Sequence, residues 1–170
     1  YYRELESAPA FERPMTWADI DVAKLDALVL AGGHAPGMKQ YLGSSRMHEV
    51  AAAFAATKKP LGAICHGTIV LARAGALAGR KTTCLPKYME RIAYWISAWK
   101  LGRYYRTYPA YVEDEVRATG CTFVRGPIEL MRRGTREDDS PAFVVEDDSY
   151  VSARWPGDAF LFTKKLIERL

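Results

Sequence analysis

The sequence has little of what would make it a disulfide scaffold or a zinc module. It holds three cysteines, Cys65, Cys84 and Cys121, and no Cys-x-x-Cys pair. So few thiols, odd in number, argue for reduced cysteines in a cytoplasmic setting. Without paired ligands, no structural zinc site and no other metal is expected. Long apolar runs are also missing: none approaches the ~18 residues that cross a bilayer as a helix. The opening stretch, Tyr1-Tyr-Arg-Glu-Leu-Glu6, has no apolar core and does not read as a signal peptide. Nor is there a block of one charge. The 24 basic residues exceed the 20 acidic ones by a formal +4, and they cluster only in pairs such as Arg132-Arg133 and Lys164-Lys165. They read as solvated surface, so neither nucleic acid nor a membrane is expected as a partner.

What is present is a globular composition. Hydrophobic residues make up 49% of 170, enough for one domain with a core. The stretch that organises the chain is Pro60-Leu-Gly-Ala-Ile-Cys-His-Gly67. Leu61 to Ile64 reads as a short buried strand, and Thr68-Ile-Val-Leu-Ala-Arg-Ala74 has helical character. A strand turning sharply into a helix at small-x-nucleophile-x-Gly is a nucleophile elbow. Such a turn lifts Cys65 above the sheet edge and sets it at a helix start, where the dipole favours a thiolate. A lone Cys on an apolar strand is ordinarily a small buried hydrophobe. The adjacent His66 and the upstream Gly32-Gly33-His34 favour the catalytic reading.

The rest of the chain supports a βαβα order. Leu25 to Ala31 is a continuous apolar run that fits a parallel strand covered on both faces. Gly32 and Gly33 follow it, leaving backbone N–H groups open to a ligand. Ser44 or Ser45 can cap a helix running through Met47 to Ala56. Both Gly32-Gly33 and Cys65 end strands, and sites in such sheets lie at the carboxyl ends of strands. A strand is expected near 79–84, then a helix entered at Leu85-Pro86 with Tyr88 to Trp99 as its interior. Tyr94, Trp95, Trp99, Tyr104, Tyr105, Tyr108 and Tyr111 form an aromatic middle, read as packing that could also wall a pocket. Val112 to Ala118 reads as a polar, exposed helix, and Thr122 to Val124 as a strand. Residues 126–140 read as an irregular surface excursion. A hairpin around Asp147-Asp148-Ser149 precedes a last amphipathic helix, Ala159 to Leu170. Before Leu25, the chain reads as a connection packed by Phe11 and Trp17.

Four segments together resemble the ThiJ/PfpI superfamily, which has the class I glutamine amidotransferase-like fold: Leu28-Val-Leu-Ala-Gly-Gly-His34, Lys59-Pro-Leu-Gly-Ala-Ile-Cys-His-Gly67, Arg80-Lys-Thr-Thr83 and Tyr150-Val-Ser-Ala-Arg-Trp-Pro-Gly157. The resemblance implies an α/β fold: a flavodoxin-like, doubly wound, mostly parallel sheet with helices on both faces. It implies one domain over residues 1–170, with a variable insertion at about 94–140. Family members begin with further strands that carry a glutamate hydrogen-bonded to the cysteine, and Tyr1 is already past that region. The chain is therefore expected to be an N-terminally incomplete portion of a longer protein, with apolar sheet edges left bare.

The resemblance also implies roles. Cys65 is the nucleophile and His66 the general acid/base. The backbone of Gly32, Gly33 and His66 forms the oxyanion site, and His34 and Trp155 are pocket candidates. Glyoxalase-like members place an acid soon after the following strand to orient the histidine. Here Lys87 stands after Leu85-Pro86, so Glu90 is the first candidate for the third member, with Glu113, Asp114 or another subunit as alternatives. The leading expectation is a glyoxalase III-like enzyme acting on small reactive carbonyls, without metal, glutathione or other cofactor, in a homodimer. The alternatives are a cysteine peptidase or amidase and, from a different class, a stress-response holdase or redox sensor using Cys65.

Overall fold

The structure, a computed structural model, describes residues 2–106, 108–129 and 132–170. Tyr1, Thr107, Leu130 and Met131 lie outside the described residues, the last three within the stretch expected to be an insertion. The strands are β1 (Leu28–Leu30), β2 (Leu61–Ile64), β3 (Lys81–Thr82), β4 (Thr122–Phe123), β5 (Val144–Asp147) and β6 (Tyr150–Ala153). The helices are α1 (Tyr2–Glu6), α2 (Pro9–Glu12), α3 (Met38–Gly43), α4 (Ser45–Ala56), α5 (Thr68–Arg73), α6 (Lys87–Leu101), α7 (Val112–Arg117) and α8 (Ala159–Ile167).

The main sheet runs β1-β2-β6-β5, with the first three strands parallel and β5 antiparallel to β6. Because side chains alternate along a strand, the register sorts the two faces. Leu61 and Ala63 align with Tyr150 and Ser152; Gly62 and Ile64 align with Val151 and Ala153. The second face receives α8, whose Phe162 and Leu166 cluster with Val151 and Ala153. The helix lies so close to β2 that a Cβ on Gly62 would sit 2.5 Å from Leu166 and 2.7 Å from Phe162. The other face carries the larger core, with Leu30, Leu61, Ala63 and Tyr150 packed among Phe54 of α4, Ile69 and Leu71 of α5 and Val116 of α7. The result is a mixed, mostly parallel sheet with helices on both faces.

The expected strand at 79–84 shortens to β3 and pairs with β4 in a separate parallel sheet. Its neighbours tie it to β6: Thr82 Oγ1 bonds the Tyr150 hydroxyl at 2.9 Å, and the Thr83 N–H donates to Ser152 Oγ at 2.9 Å. Ser44 is the cap of α4, its Oγ accepting from the Met47 N–H at 3.2 Å. Two expectations are corrected. The segment before β1 is packed less than expected: Phe11 is 55% exposed, and Trp17, 38% exposed, keeps a tilted ring contact with Tyr41 at 6.4 Å. And α7 is not a free polar helix: Val112, Glu113 and Val116 are buried. Its two valines sit four apart, so they share one face and fill the core while the acids spread around them.

A carboxylate exchange joins α6 to α7. Neither helix has a side-chain cap of its own at its N-cap residue. Glu113 of α7 accepts from the Lys87 N–H that starts α6, and Glu90 of α6 accepts from the Val112 N–H that starts α7, both at 2.9 Å. Each buried acid thus satisfies an orphan donor of the other helix and sits at the positive end of its dipole. Glu113 also bonds Arg125 at 2.6 Å and Arg117 at 3.0 Å. On its outer side α6 exposes Trp95, Ile96 and Trp99.

At the end of β6, Arg154 and Asp158 form a fully buried pair. Arg154 Nε and Nη2 donate to the two carboxylate oxygens at 2.9 and 2.8 Å, and Nη1 donates to the Pro127 carbonyl at 2.7 Å. The Phe143 N–H donates to Asp158 as well, at 2.9 Å. The pair therefore fastens the start of α8 to both hairpin strands. No helix among the described residues is long and apolar enough to cross a membrane.

Two outcomes follow. Asp158→Ala leaves a buried guanidinium unpaired and is expected to cost about 3–5 kcal/mol in urea unfolding. Burial pushes the Glu113 carboxyl up, but hydrogen bonds from Arg125, Lys87 and Arg117 outweigh it and hold the group below its ordinary value. The stability it adds is complete above the ordinary glutamate pKa and is lost as pH falls toward the lower folded value. Glu113→Gln should therefore flatten the acid limb of stability against pH, with unchanged slopes counting against this assignment.

Candidate active site

The elbow forms because two glycines let β1 and the Cys65 turn touch. A Cβ on Gly67 would run into the Leu30 carbonyl. A Cβ on Gly32 would sit 2.6 Å from the His66 nitrogen and 2.7 Å from Cys65 Cβ. With that contact made, β2 ends in a single 3-10 turn, Cys65–Gly67, that leads directly into α5. Cys65 takes φ +59°, the left-handed region that non-glycine residues avoid. Such strain costs about 1–3 kcal/mol and persists only where the surroundings enforce it. Thr68 helps to enforce it, its hydroxyl donating to the Cys65 carbonyl at 2.8 Å.

The turn brings Cys65 Sγ to 3.3 Å from His66 Nδ1. Cys65 is 6% exposed and His66 is fully buried. On the far side of the imidazole, His66 Nε2 lies 3.9 Å from Glu90 Oε1, within ion-pair range but beyond a hydrogen bond. Glu90 is held there because its other oxygen is engaged by α7. The structure thus gathers Cys65, His66 and Glu90 from β2's end and α6. It does not gather the weaker candidates in this way: Glu113 is engaged by Lys87, Arg117 and Arg125, and Asp114 pairs with Lys87 Nζ at 2.6 Å.

His34, half-buried, stands edge-on to His66 with ring centroids 4.3 Å apart. The donor atoms of His34, His66 and Glu90 all lie within 4.8 Å of one another. Gly33, beside it, has ordinary space around its Cα, and its carbonyl accepts from the Tyr108 hydroxyl at 3.4 Å. Tyr108 also lies 5.0 Å from the His66 ring, and Tyr105 lies 4.7 Å from that of His34. These tyrosines wall the site. Their sequence signal was the aromatic density after α6, which gave no indication of which rings turn inward. Tyr111 does not join them, stacking instead under Arg106 at 3.9 Å. Trp155 lies against Gly157 with the Arg133 guanidinium 5.3 Å from its ring. The third histidine is engaged elsewhere, with His48 Nε2 on the Leu42 carbonyl at 2.8 Å.

The electrostatics reverse one expectation. Burial pushes the Cys65 thiol up to about 12, outweighing the His66 backbone N–H that pulls it down. The helix start alone does not make a resting thiolate. Burial holds His66 down at about 3 and His34 at about 4, and raises Glu90 to about 7. With the thiol pushed up and the imidazole held down, the resting pair is a neutral thiol against a neutral imidazole. All three cysteines are free thiols.

A family model described as ThiJ/PfpI family-like matches residues 1–137. Among curated proteins, Deglycase TK1284 of Thermococcus kodakarensis is 27% identical over 162 residues, covering 92% of this chain and 69% of that protein. Protein DJ-1 homolog D of Arabidopsis thaliana is 39% identical over 69 residues, which is 40% of this chain but 17% of that protein. Glyoxalase III from Candida albicans superposes with a TM-score of 0.66 over 91% of this chain and 61% of its own, at 18% identity. That likeness establishes the flavodoxin-like fold.

With the thiol pushed up by burial, its thiolate fraction climbs throughout the accessible range. Alkylation of Cys65 by iodoacetamide should accelerate roughly tenfold per pH unit from neutral to mildly alkaline pH. A rate that levels off near neutrality would mean that the resting sulfur is already a thiolate.

Proposed function

We propose that this chain, which belongs to the ThiJ/PfpI-like family, is a cysteine-dependent enzyme acting on small reactive carbonyl compounds. The observation that carries the reading is the Sγ to Nδ1 distance of 3.3 Å at a turn strained to φ +59°. Nucleophile and base stand within proton-transfer reach, and an acid stands behind the base. The names of the relatives, deglycase and glyoxalase III, point the same way.

With methylglyoxal, Cys65 adds to the aldehyde carbon as its thiol proton passes by way of His66 Nδ1 to the carbonyl oxygen, giving a hemithioacetal and a neutral imidazole. His66 then moves the proton from the former aldehyde carbon to its neighbour, so that the first carbon becomes a thioester and the second carries a hydroxyl. Water cleaves the thioester, releasing lactate and restoring the thiol. No redox partner is needed, since one carbon is oxidised as the other is reduced. Glu90 is the positioning residue for His66. The N–H groups of Gly33 and His66 are the donors for the developing oxyanion, a contribution of about 2.7–4 kcal/mol each. Burial of Cys65 favours a small aldehyde over a polypeptide, which ranks amide hydrolysis second.

The test is lactate formation from methylglyoxal in the absence of glutathione. Cys65→Ala is expected to abolish it, and His66→Ala to lower kcat by about 10²–10⁴. Turnover that survives in Cys65→Ala, or no turnover in the unaltered chain with Cys65 still alkylated, would overturn the carbonyl reading.

A further inference from the structure

Two buried nitrogens in the site are without hydrogen bonds: His34 Nε2 and His66 Nε2. Leaving such atoms unmade ordinarily costs about 1–3 kcal/mol each. The two rings meet edge-on with centroids 4.3 Å apart, Glu90 Oε1 lies 3.9 Å from His66 Nε2, and one donor atom from each of His34, His66 and Glu90 lies within 4.8 Å of the others. We infer that His34, His66 and Glu90 form a binding site for a divalent transition ion of the zinc class.

The donor set fits this ion. Two imidazoles and one carboxylate with a fourth position open is a combination found at catalytic zinc, whereas magnesium and calcium prefer all-oxygen shells. The outer shell is in place as well. Glu90 Oε2 is anchored by the Val112 N–H at 2.9 Å, leaving Oε1 for the ion. His66 Nδ1 meets Cys65 Sγ at 3.3 Å, which fixes the ring and leaves Nε2 as the ligand atom. With metal–ligand distances near 2 Å, tetrahedral ligand atoms lie about 3.3 Å apart, so the widest pair, up to 4.8 Å, must close by about 1.5 Å. His34 can supply the movement, because it is half-buried on the loop after β1.

The site has a consequence for the chemistry proposed above, although its existence does not rest on that proposal. An ion on Nε2 holds His66 in the tautomer with the proton on Nδ1. In that tautomer His66 cannot accept a proton from Cys65. Zinc should therefore inhibit the enzyme, and a chelator should restore it.

Binding is measured directly, on the whole chain after chelator treatment, by calorimetric titration with Zn2+ and by the absorption spectrum with Co2+. One equivalent is expected, with the visible bands of tetrahedral cobalt and no thiolate-to-cobalt charge transfer. His34→Ala should weaken binding by more than about 100-fold, a larger loss than removal of an outer-shell partner gives. Cys65→Ser, which changes only the partner of Nδ1, should weaken binding by less than about 100-fold. Glu90→Gln gives a second arm, and His34→Ala keeps the test intact if that variant fails to fold. No binding, binding unaffected by His34→Ala, or a thiolate band lost in Cys65→Ser would each overturn the site. Because the readout is not turnover, a chain that binds zinc but makes no lactate would sink only the carbonyl chemistry, and the reverse would sink only the metal site.

Discussion

The close contact between β1 and the elbow is what the remainder of the site depends on. Gly67 lies where any Cβ would strike the Leu30 carbonyl, and Gly32 lies where one would strike the His66 nitrogen. Overpacking at such points ordinarily costs about 1–3 kcal/mol, and a clash with backbone has no flexible side chain to absorb it. With both positions bare, the strand end and the turn interlock. Cys65 is then held in a left-handed conformation that its own preferences oppose. The core stabilises that strain: Leu30, Ala63, Ile69 and Val70 are all essentially inaccessible around it.

The second constraint is the traded pair of carboxylates between α6 and α7. It explains why acids can be buried so near a thiol and two imidazoles. Glu113 is surrounded by donors and stays ionised, whereas Glu90 has one backbone donor and its burial raises it to about 7. One pair of helices thus holds two acids with opposite tendencies. The ionised one braces the α6 start and the near-neutral one faces His66. Environment, and not residue type, separates their roles.

The elbow was legible because its signals are local: an apolar run, small residues, a cysteine and a glycine in sequence. Gly32 was read as an open backbone donor and not as the point where the elbow packs, and Glu90 was named through the family resemblance, as the nearest carboxylate on the helix after Leu85-Pro86. What could not be read depends on contacts between distant segments. Nothing near Tyr108 indicates that its ring would meet His66, which lies 42 positions earlier. The depth of Cys65 was equally invisible, so the dipole at α5 looked decisive when desolvation in fact prevails. The proposed metal ligands are scattered in the same way. His34, His66 and Glu90 lie on three separate elements, and no spacing rule joins them. The burial of α7, by contrast, was available in the spacing of Val112 and Val116, obscured by the acids between them.

Glu90 carries two duties on two oxygens, and this bears on how such a sequence can drift. A lineage that replaces it must recover both a cap for α7 and a neighbour for His66, and no single substitution does so. Asp is too short to span both, and Gln keeps the shape but gives up the charge. The position is therefore pinned by architecture as much as by chemistry. Variation is diverted to places such as the outer face of α6, where Trp95 and Trp99 touch little of this molecule.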